Sequence, residues 1–294
     1  MNSNDVTTAR PIPAAPGFFA SGVRIFDLSL GEMLWSRRTI FMMLVAGAPV
    51  IIACFLRIIV LFGAPVFEEH RSTQGGMTQT IRMTGPAIFG LMIWNFYLRF
   101  TVPVLGVFYG TSLMADEVED KTITYLFTRP IRRGAVLFGK YLAYLGCTVF
   151  VVLPSVMLVY LLVVPMRGSL GASFIDLVKD LVLLALGLAV YGALFAFVGA
   201  KFKRPLIVGL IFIFGWEQAA LAFPGYLKRF TIAYYLQGLV PHAMPSDSVL
   251  SLIQGAFRES PTLAGSLFGL ALILVVFVGL AAWVVERREY VLEQ

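Results

Sequence analysis

The sequence has little charge. Only 14% of its 294 residues are Asp, Glu, Lys or Arg, whereas soluble globular proteins have about 25%. Apolar residues make up 59% of the chain, and the mean hydropathy is +0.84. The low charge excludes an ordinary water-soluble domain, and the high apolar content excludes a disordered chain. We therefore expect a protein embedded in lipid.

Cysteine and histidine are scarce, with two of each. Cys54 and Cys147 both fall inside apolar runs, so the sequence supports neither a disulfide framework nor a cysteine-based metal site, and we expect both to be small buried hydrophobes. His70 and His242 lie in different predicted loops without the spacing of metal ligands. The sequence therefore predicts no catalytic residues, no metal and no enzyme activity in this chain.

Long apolar stretches fill most of the chain. A helix needs about 20 apolar residues to cross a hydrocarbon core roughly 30 Å thick. Six stretches of about that length are present: Thr39–Phe62, Pro86–Met114, Tyr141–Val164, Lys179–Ala200, Leu206–Phe223 and Leu263–Val285. The fold class is therefore an all-α integral membrane protein whose six-span transmembrane domain covers residues 39–285, followed by a tail at 286–294.

Basic residues are distributed unequally between the two sides of the predicted membrane domain. One side carries fourteen: Arg10, Arg24, Arg37, Arg38, Lys121, Arg129, Arg132, Arg133, Lys140, Lys201, Lys203, Arg204, Arg287 and Arg288. The other side carries seven: Arg71, Arg82, Arg167, Lys179, Lys228, Arg229 and Arg258. Because basic loops stay in the cytoplasm, both termini are predicted to be cytoplasmic. The net charge of +6 is then explained by the basic cytoplasmic loops. Nucleic acid is therefore not an expected partner.

The region before the first span, residues 1–38, is predicted to be a polar tail followed by an amphipathic helix. Apolar residues recur at helical spacing from Phe18 onwards: Phe19, Val23, Phe26, Leu30, Met33 and Leu34. Arg24 and Glu32 lie off this stripe, although Ile25, Leu28 and Trp35 interrupt the pattern. The stripe favours a helix in the cytoplasmic membrane interface, and a simple extension of the first span is the alternative.

The connection between the second and third spans, residues 115–140, holds nine of the 40 charged residues. Its acidic residues, Asp116, Glu117, Glu119 and Asp120, are predicted to begin a short helix that carries an apolar patch of Ile123, Leu126 and Phe127 and ends at Pro130. Arg132 and Arg133 then open a second helix that leads into the third span. Such a helix could be gripped by a cytoplasmic protein, or its charges could simply fix the topology.

This segment resembles the coupling region of ABC-2 type exporter permeases. The matching positions are Glu117, Thr122, Pro130, Ile131, Arg133, Gly139 and Lys140, and Lys121 stands where the family has Gly. The six-span layout, the interfacial helix and an outer segment between the last two spans are also similar to that family. On this resemblance, the residues expected to couple the chain to an ATPase are Asp116, Glu117, Glu119, Asp120, Thr122, Ile123, Leu126, Phe127, Pro130, Arg133, Gly139 and Lys140.

The resemblance also implies an assembly. Members of this family are dimers of six-span subunits, homo- or heterodimeric, driven by two cytoplasmic ATPase domains that bind ATP and magnesium. Applied to this chain, it implies a multi-pass subunit of a bacterial-type inner membrane, surrounded by membrane lipids, that binds no cofactor itself. Gly134-x4-Gly139-Lys140 imitates a phosphate-binding loop, but Tyr141 follows where Ser or Thr would bind magnesium. We therefore expect the ATPase to be a separate polypeptide.

Three charged residues lie deep in the predicted spans, where each costs about 2.5–3.5 kcal/mol at the bilayer centre. From the cytoplasmic ends of their spans, Arg57 lies about 27 Å along the helix, Arg99 about 24 Å and Glu217 about 17 Å. Both arginines could reach the outer headgroups while Glu217 bonds to one of them. Alternatively, all three could line a substrate path that favours an anionic group.

Two further features concern packing. Gly106-x3-Gly110 and Gly265-x3-Gly269 permit close approach of helices and favour internal packing over a dimer seam. The segment between the last two spans, residues 224–262, could form a re-entrant or interfacial cap over the outer exit, or an ordinary loop.

Three hypotheses of function remain at this stage. The first is the permease subunit of an ATP-driven exporter. The second is a membrane anchor or assembly factor that recruits a cytoplasmic partner through residues 115–140. The third is an ion-coupled carrier or intramembrane enzyme with Arg57, Arg99 and Glu217 as its polar centre.

Overall fold

The protein is helical wherever it could cross a membrane. A computed structural model describes residues 17–62, 70–74, 77–81, 84–119, 133–166, 168–222, 226–241 and 262–287. The helices are α1 (Phe18–Leu34), α2 (Arg37–Leu61), α3 (85–119), α4 (Arg133–Val163), α5 (Phe174–Lys201), α6 (205–222), α7 (Ile232–Gln237) and α8 (Leu263–Arg287). A short 3₁₀ helix, Tyr226–Phe230, precedes α7.

Five of these helices are long and apolar enough to span a bilayer: Arg38–Leu61, Gly85–Ala115, Gly134–Val163, Phe174–Lys201 and Leu263–Arg287. The chain is therefore a multi-pass membrane protein. The fifth predicted span, Leu206–Phe223, corresponds to the shorter apolar helix Pro205–Ala220. At about 1.5 Å per residue this helix is near 24 Å long, less than the roughly 30 Å of a hydrocarbon core. Six full-length spans are thus not found among the described residues.

α3 and α6 contain π-helical turns. In α3 these are Ile93–Thr101 and Gly106–Gly110, and in α6 the π-helix covers Ile211–Glu217. A π turn inserts an extra residue and redirects the side chains around it, and such turns are frequent at functional sites.

Within the described ranges, one hairpin is not helical. β1 (His70–Gln74) and β2 (Met77–Ile81) form an antiparallel hairpin in the connection between α2 and α3, with His70 opposite Ile81 and Gln74 opposite Met77. The sequence analysis predicts only a loop here. Thr78, Thr80 and Ile81 give β2 the β-branched residues that favour a strand, in a short segment outside the spans.

α4 lies at the centre of the helix packing, since it contacts α1, α2, α5 and α8. α1 lies alongside its first half: a Cβ added to Gly139 would lie 2.6 Å from the carbonyl oxygen of Gly22. Further along, Gly146 faces Phe26 and Leu30. Val23, a residue of the predicted apolar stripe, is 65% exposed, because α1 turns its Gly22 and Phe26 side towards α4.

Glycines in α3 and α5 allow these two helices to touch. A Cβ at Gly106 would lie 2.9 Å from Cβ of Tyr191, and one at Gly110 would lie 2.9 Å from Cβ of Phe195. The prediction that Gly106-x3-Gly110 serves internal packing is therefore confirmed. In the second motif only Gly269 packs closely, against Tyr235, 2.6 Å from the position of an added Cβ.

The two cysteines are in different environments. Cys147 is buried in α4, as predicted. Cys54 is exposed on α2, so the prediction that both are buried is wrong for this residue. The outer face of α2 also exposes Ile51, Phe55 and Ile58, which is the arrangement of a helix that faces lipid or a neighbouring subunit.

Gly192→Ala is expected to destabilise the protein by about 1–3 kcal/mol, the usual cost of overpacking a core. A Cβ at this position would lie 2.2 Å from Cε1 of Tyr144, whose ring is fully buried and whose hydroxyl donates to the Leu188 carbonyl at 3.0 Å. Thermal unfolding in detergent measures the loss. Gly47→Ala is the matched control, because no atom lies within 4 Å of a Cβ at Gly47. Equal melting temperatures for the two variants would contradict the packing described here.

Candidate functional site

Two of the three charged residues predicted deep in the spans lie at the ends of π-helical turns. Arg99 is in the last turn of Ile93–Thr101, and Glu217 is the last residue of Ile211–Glu217. Arg57 lies apart from them, one turn before the end of α2. It is half-buried and makes no side-chain hydrogen bond or ion pair with any other described residue.

Glu217 is enclosed by protein and is only 2% exposed. Its Oε1 accepts a hydrogen bond from the Tyr191 hydroxyl of α5 at 2.5 Å and another from the backbone N–H of Ala233 at 3.0 Å. Tyr191 itself is fully buried. One carboxylate oxygen therefore connects α6, α5 and the first turn of α7.

The first turn of α7 illustrates why that carboxylate is needed. The first backbone N–H groups of a helix have no partner within the helix, and water is not available to them in a bilayer. Here Thr231 caps the helix by accepting from Tyr234 N at 3.3 Å, and Glu217 accepts from Ala233 N. The capping of α7 is thus shared between a local hydroxyl and a carboxylate from another helix.

α7 lies inside the helix bundle. Ile232, Ala233, Tyr234 and Leu236 are all buried, and a Cβ at Gly187 of α5 would lie 3.5 Å from Cδ1 of Leu236. Gly187 is fourteen residues, about 21 Å, from the end of α5 at Lys201. For the described part of residues 224–262, this depth favours the re-entrant alternative.

Arg99 bonds to the neighbour of Glu217 and not to Glu217 itself. Its Nε and Nη2 donate to Oε1 of Gln218 at 3.1 and 2.5 Å. Glu217 and Arg99 therefore make separate contacts instead of the expected bond between Glu217 and an arginine. The contact of Glu217 is buried, whereas that of Arg99 is accessible, because Arg99 lies on an exposed face of α3. Adjacent residues of α6 thus hold α3 and α7 in place.

The predicted coupling segment is described only at its two ends. Asp120, Thr122, Ile123, Leu126, Phe127 and Pro130 lie outside the described residues. The backbone of Asp116, Glu117 and Glu119 belongs to the last segment of α3, Ser112–Glu119. The prediction that these acidic residues begin a helix is therefore wrong for them. No Gly or Pro interrupts Ser112–Glu119, so the helix of the span continues through them.

The far end of the segment is helical from Arg133, as the sequence analysis predicts. Gly134, Gly139 and Lys140 lie on α4 within a regular helix, which confirms that they form no phosphate-binding loop. Gly139 is buried where α1 crosses it, so the helix leading from the coupling segment also holds α1.

Several residues of this site are not predicted from the sequence: Tyr191, Gln218, Thr231 and Ala233. Gln218 carries a usable signal, since an amide beside a carboxylate in an apolar run needs a partner. The other three offer none, because tyrosine, threonine and alanine are common in membrane helices. Among the described residues, no group of three or more His, Cys, Asp and Glu side chains could hold a metal ion.

Comparison with known proteins gives one family. Residues 48–290 match the family model described as "ABC-2 family transporter protein", which covers well over half of the chain. No curated protein matches the sequence.

Proposed function

The chain belongs to the ABC-2 transporter family, and on that premise we propose that it is the permease subunit of an ATP-binding cassette exporter whose ATPase is a separate chain. The observation that carries this proposal is the family match over residues 48–290. Five span-length helices support it, since a permease must cross the membrane. ATP and magnesium would be bound by the ATPase and not by this chain.

We propose that residues 115–140 form the contact with that ATPase. The segment includes the end of α3, at Glu119, and the start of α4, at Arg133. Acidic residues near a helix C-terminus are disfavoured by about 0.3–1 kcal/mol each, so helix stability does not explain Asp116, Glu117 and Glu119. A basic surface on a partner would explain them.

The proposed mechanism is alternating access. Closure of two ATPase subunits on ATP would draw together the 115–140 segments of two permease subunits, in a homo- or heterodimer. Because α3 and α4 run directly from this segment into the membrane, its movement would shift both helices and the α1 helix that packs on α4. The transport path would then open towards the outer side.

Within the membrane, we propose that Arg99 and Gln218 face the transport path, because the Arg99 side chain is accessible. Arg57, closer to the outer end of α2, would act near the exit. Glu217 is enclosed, so its contribution would be to hold α7 against the bundle. Both termini would lie in the cytoplasm of a bacterial-type inner membrane.

Co-expression with stand-alone ABC ATPases from the same organism tests the proposed function. The chain and its ATPase are expected to purify together in detergent, and the complex reconstituted in lipid is expected to hydrolyse ATP at a rate that depends on lipid or substrate. An ATPase variant lacking its P-loop lysine is the control for contaminating activity. Failure of the two chains to associate, with both folded, would favour a membrane anchor for a different partner.

A further inference from the structure

A pocket of about 270 Å³ lies between α4, α5 and α8, at the end of the bundle where α4 begins and α8 ends. Its lining includes Gly134, the second residue of α4, and Glu286, the last but one of α8. This is the end that carries the coupling segment, and it is separate from the Glu217 site in the middle of the bundle.

The deep wall of the pocket is apolar. Leu137, Ala196 and Ala281 are buried and contribute only carbon atoms. Tyr141 adds its ring, but its hydroxyl already donates to the Ala189 carbonyl at 2.7 Å. The wall therefore suits an alkyl chain and offers no free hydroxyl to a polar group.

Among the described lining residues, Tyr141 and Glu286 are the ionisable ones, and the exposed carboxylate of Glu286 lies at the rim. The neighbouring Arg287 does not line the pocket, because its guanidinium lies over the Trp283 ring, 4.8 Å from the centroid. Glu286 thus contributes a negative charge to the rim.

The apolar wall lies at the depth of an amphiphile's alkyl chain in the membrane, and the rim lies at the depth of its head group. Gly279, another lining residue, lies seven residues before Glu286 on α8, about 10 Å deeper along the helix. Glu286 is next to the end of the span, at the level of lipid headgroups. A chain in the pocket would lie at hydrocarbon depth while its head reached the carboxylate.

We propose that this pocket binds a single-chain amphiphilic cation. Its volume is just below the roughly 300–1,000 Å³ of pockets that enclose drug-sized molecules, so one alkyl chain fits where a multi-ring compound or a two-chain lipid would not. The carboxylate selects a cationic head over an anionic one. If the proposed function is correct, this pocket loads the cation as cargo from the inner leaflet. Binding of the cation does not depend on the proposed function.

The test is equilibrium binding of radiolabelled dodecyltrimethylammonium to the full chain in nanodiscs of phosphatidylcholine and phosphatidylglycerol. Saturable binding is expected, with displacement by the unlabelled cation and none by dodecyl sulfate. Gly279→Leu is expected to abolish it, because a Cβ at Gly279 meets no atom within 4 Å and the added side chain would fill the pocket. Gly47→Leu, equally open on α2, is the matched control and should bind normally.

The charge is tested separately. Glu286→Gln is expected to weaken binding of the cation about fivefold, the effect of one exposed ion pair, and to leave competition by neutral dodecyl maltoside unchanged. Normal cation binding in Gly279→Leu would overturn the proposed location. Equal weakening of cation and maltoside by Glu286→Gln would overturn the proposed selectivity. Loss of cation binding when phosphatidylethanolamine is added, with that lipid retained on native mass spectrometry, would assign the pocket to a membrane lipid instead.

None of these measurements involves ATP. A permease that associates with its ATPase but binds no cation would contradict only the pocket proposal. Cation binding by a chain that associates with no ATPase would contradict only the proposed function.

Discussion

Glu217→Leu is expected to lower the free energy of unfolding by about 2–6 kcal/mol. The substitution removes the acceptor of two buried donors, the Tyr191 hydroxyl and the Ala233 N–H, and each buried donor left without a partner costs about 1–3 kcal/mol. The penalty is not relieved by water, because Tyr191 is fully buried and Ala233 is 7% exposed. Thermal unfolding of the purified chain in detergent, followed by tryptophan fluorescence, measures it.

Two further variants separate charge from hydrogen bonding at this position. Glu217→Gln keeps a carbonyl acceptor, so it should lose much less stability than Glu217→Leu. Tyr191→Phe removes one donor together with its need for a partner and should also be mild. If Gln and Leu at position 217 destabilised equally, the negative charge and not the pair of hydrogen bonds would be what the bundle requires.

Transport by the same variants tests the proposed division of roles around α6. Because Glu217 is enclosed, Glu217→Gln should retain transport in proportion to its folded yield. Arg99→Leu, which removes an accessible cation bonded to Gln218, should reduce transport at normal yield. Unchanged transport in Arg99→Leu with reduced folding would remove Arg99 from the path and leave it a structural residue.

The arrangement of spans could be predicted from the sequence because apolar run length directly reflects bilayer thickness. Four of the five span-length helices begin within about one turn of their predicted first residue, and Gly134–Val163 begins two turns earlier than Tyr141. That helix extends beyond its apolar run because Arg133–Lys140 contains no proline, and its two glycines weaken a helix without ending it. The shortness of α6 is visible in the sequence, since Leu206–Phe223 is the shortest of the six apolar stretches.

Only part of the candidate site could be predicted from the sequence. Arg99 and Glu217 stand out as charges in apolar runs, but their partners, Gln218 for Arg99 and Tyr191 and Ala233 for Glu217, depend on tertiary packing. Exposure was equally hidden from the sequence: Cys54 and Val23 are apolar in character and yet lie on outer surfaces. In a bilayer, apolar residues face outwards as readily as inwards, so hydropathy does not report burial.

Charge reversal at Glu117 is expected to have the largest effect on activity. If the end of α3 meets a basic surface of the ATPase, Glu117→Lys places like charges together and weakens the contact by about 2–5 kcal/mol, or roughly 30-fold or more in affinity. ATP-dependent transport and stimulation of ATP hydrolysis should fall accordingly, while the chain keeps its melting temperature, because an acidic residue near a helix C-terminus contributes no stability.

Glu32→Lys is the matched control for that experiment, because it makes the same change at an exposed position of α1 on the same predicted side of the membrane. Pull-down with the ATPase and transport into vesicles should distinguish the two variants, with loss only for Glu117→Lys. Recovery of binding by a compensating acidic substitution on the ATPase would identify the basic partner of Glu117. If Glu117→Lys leaves complex formation and transport intact, residues 115–140 do not couple this permease to its motor, and their nine charges serve only to fix its topology.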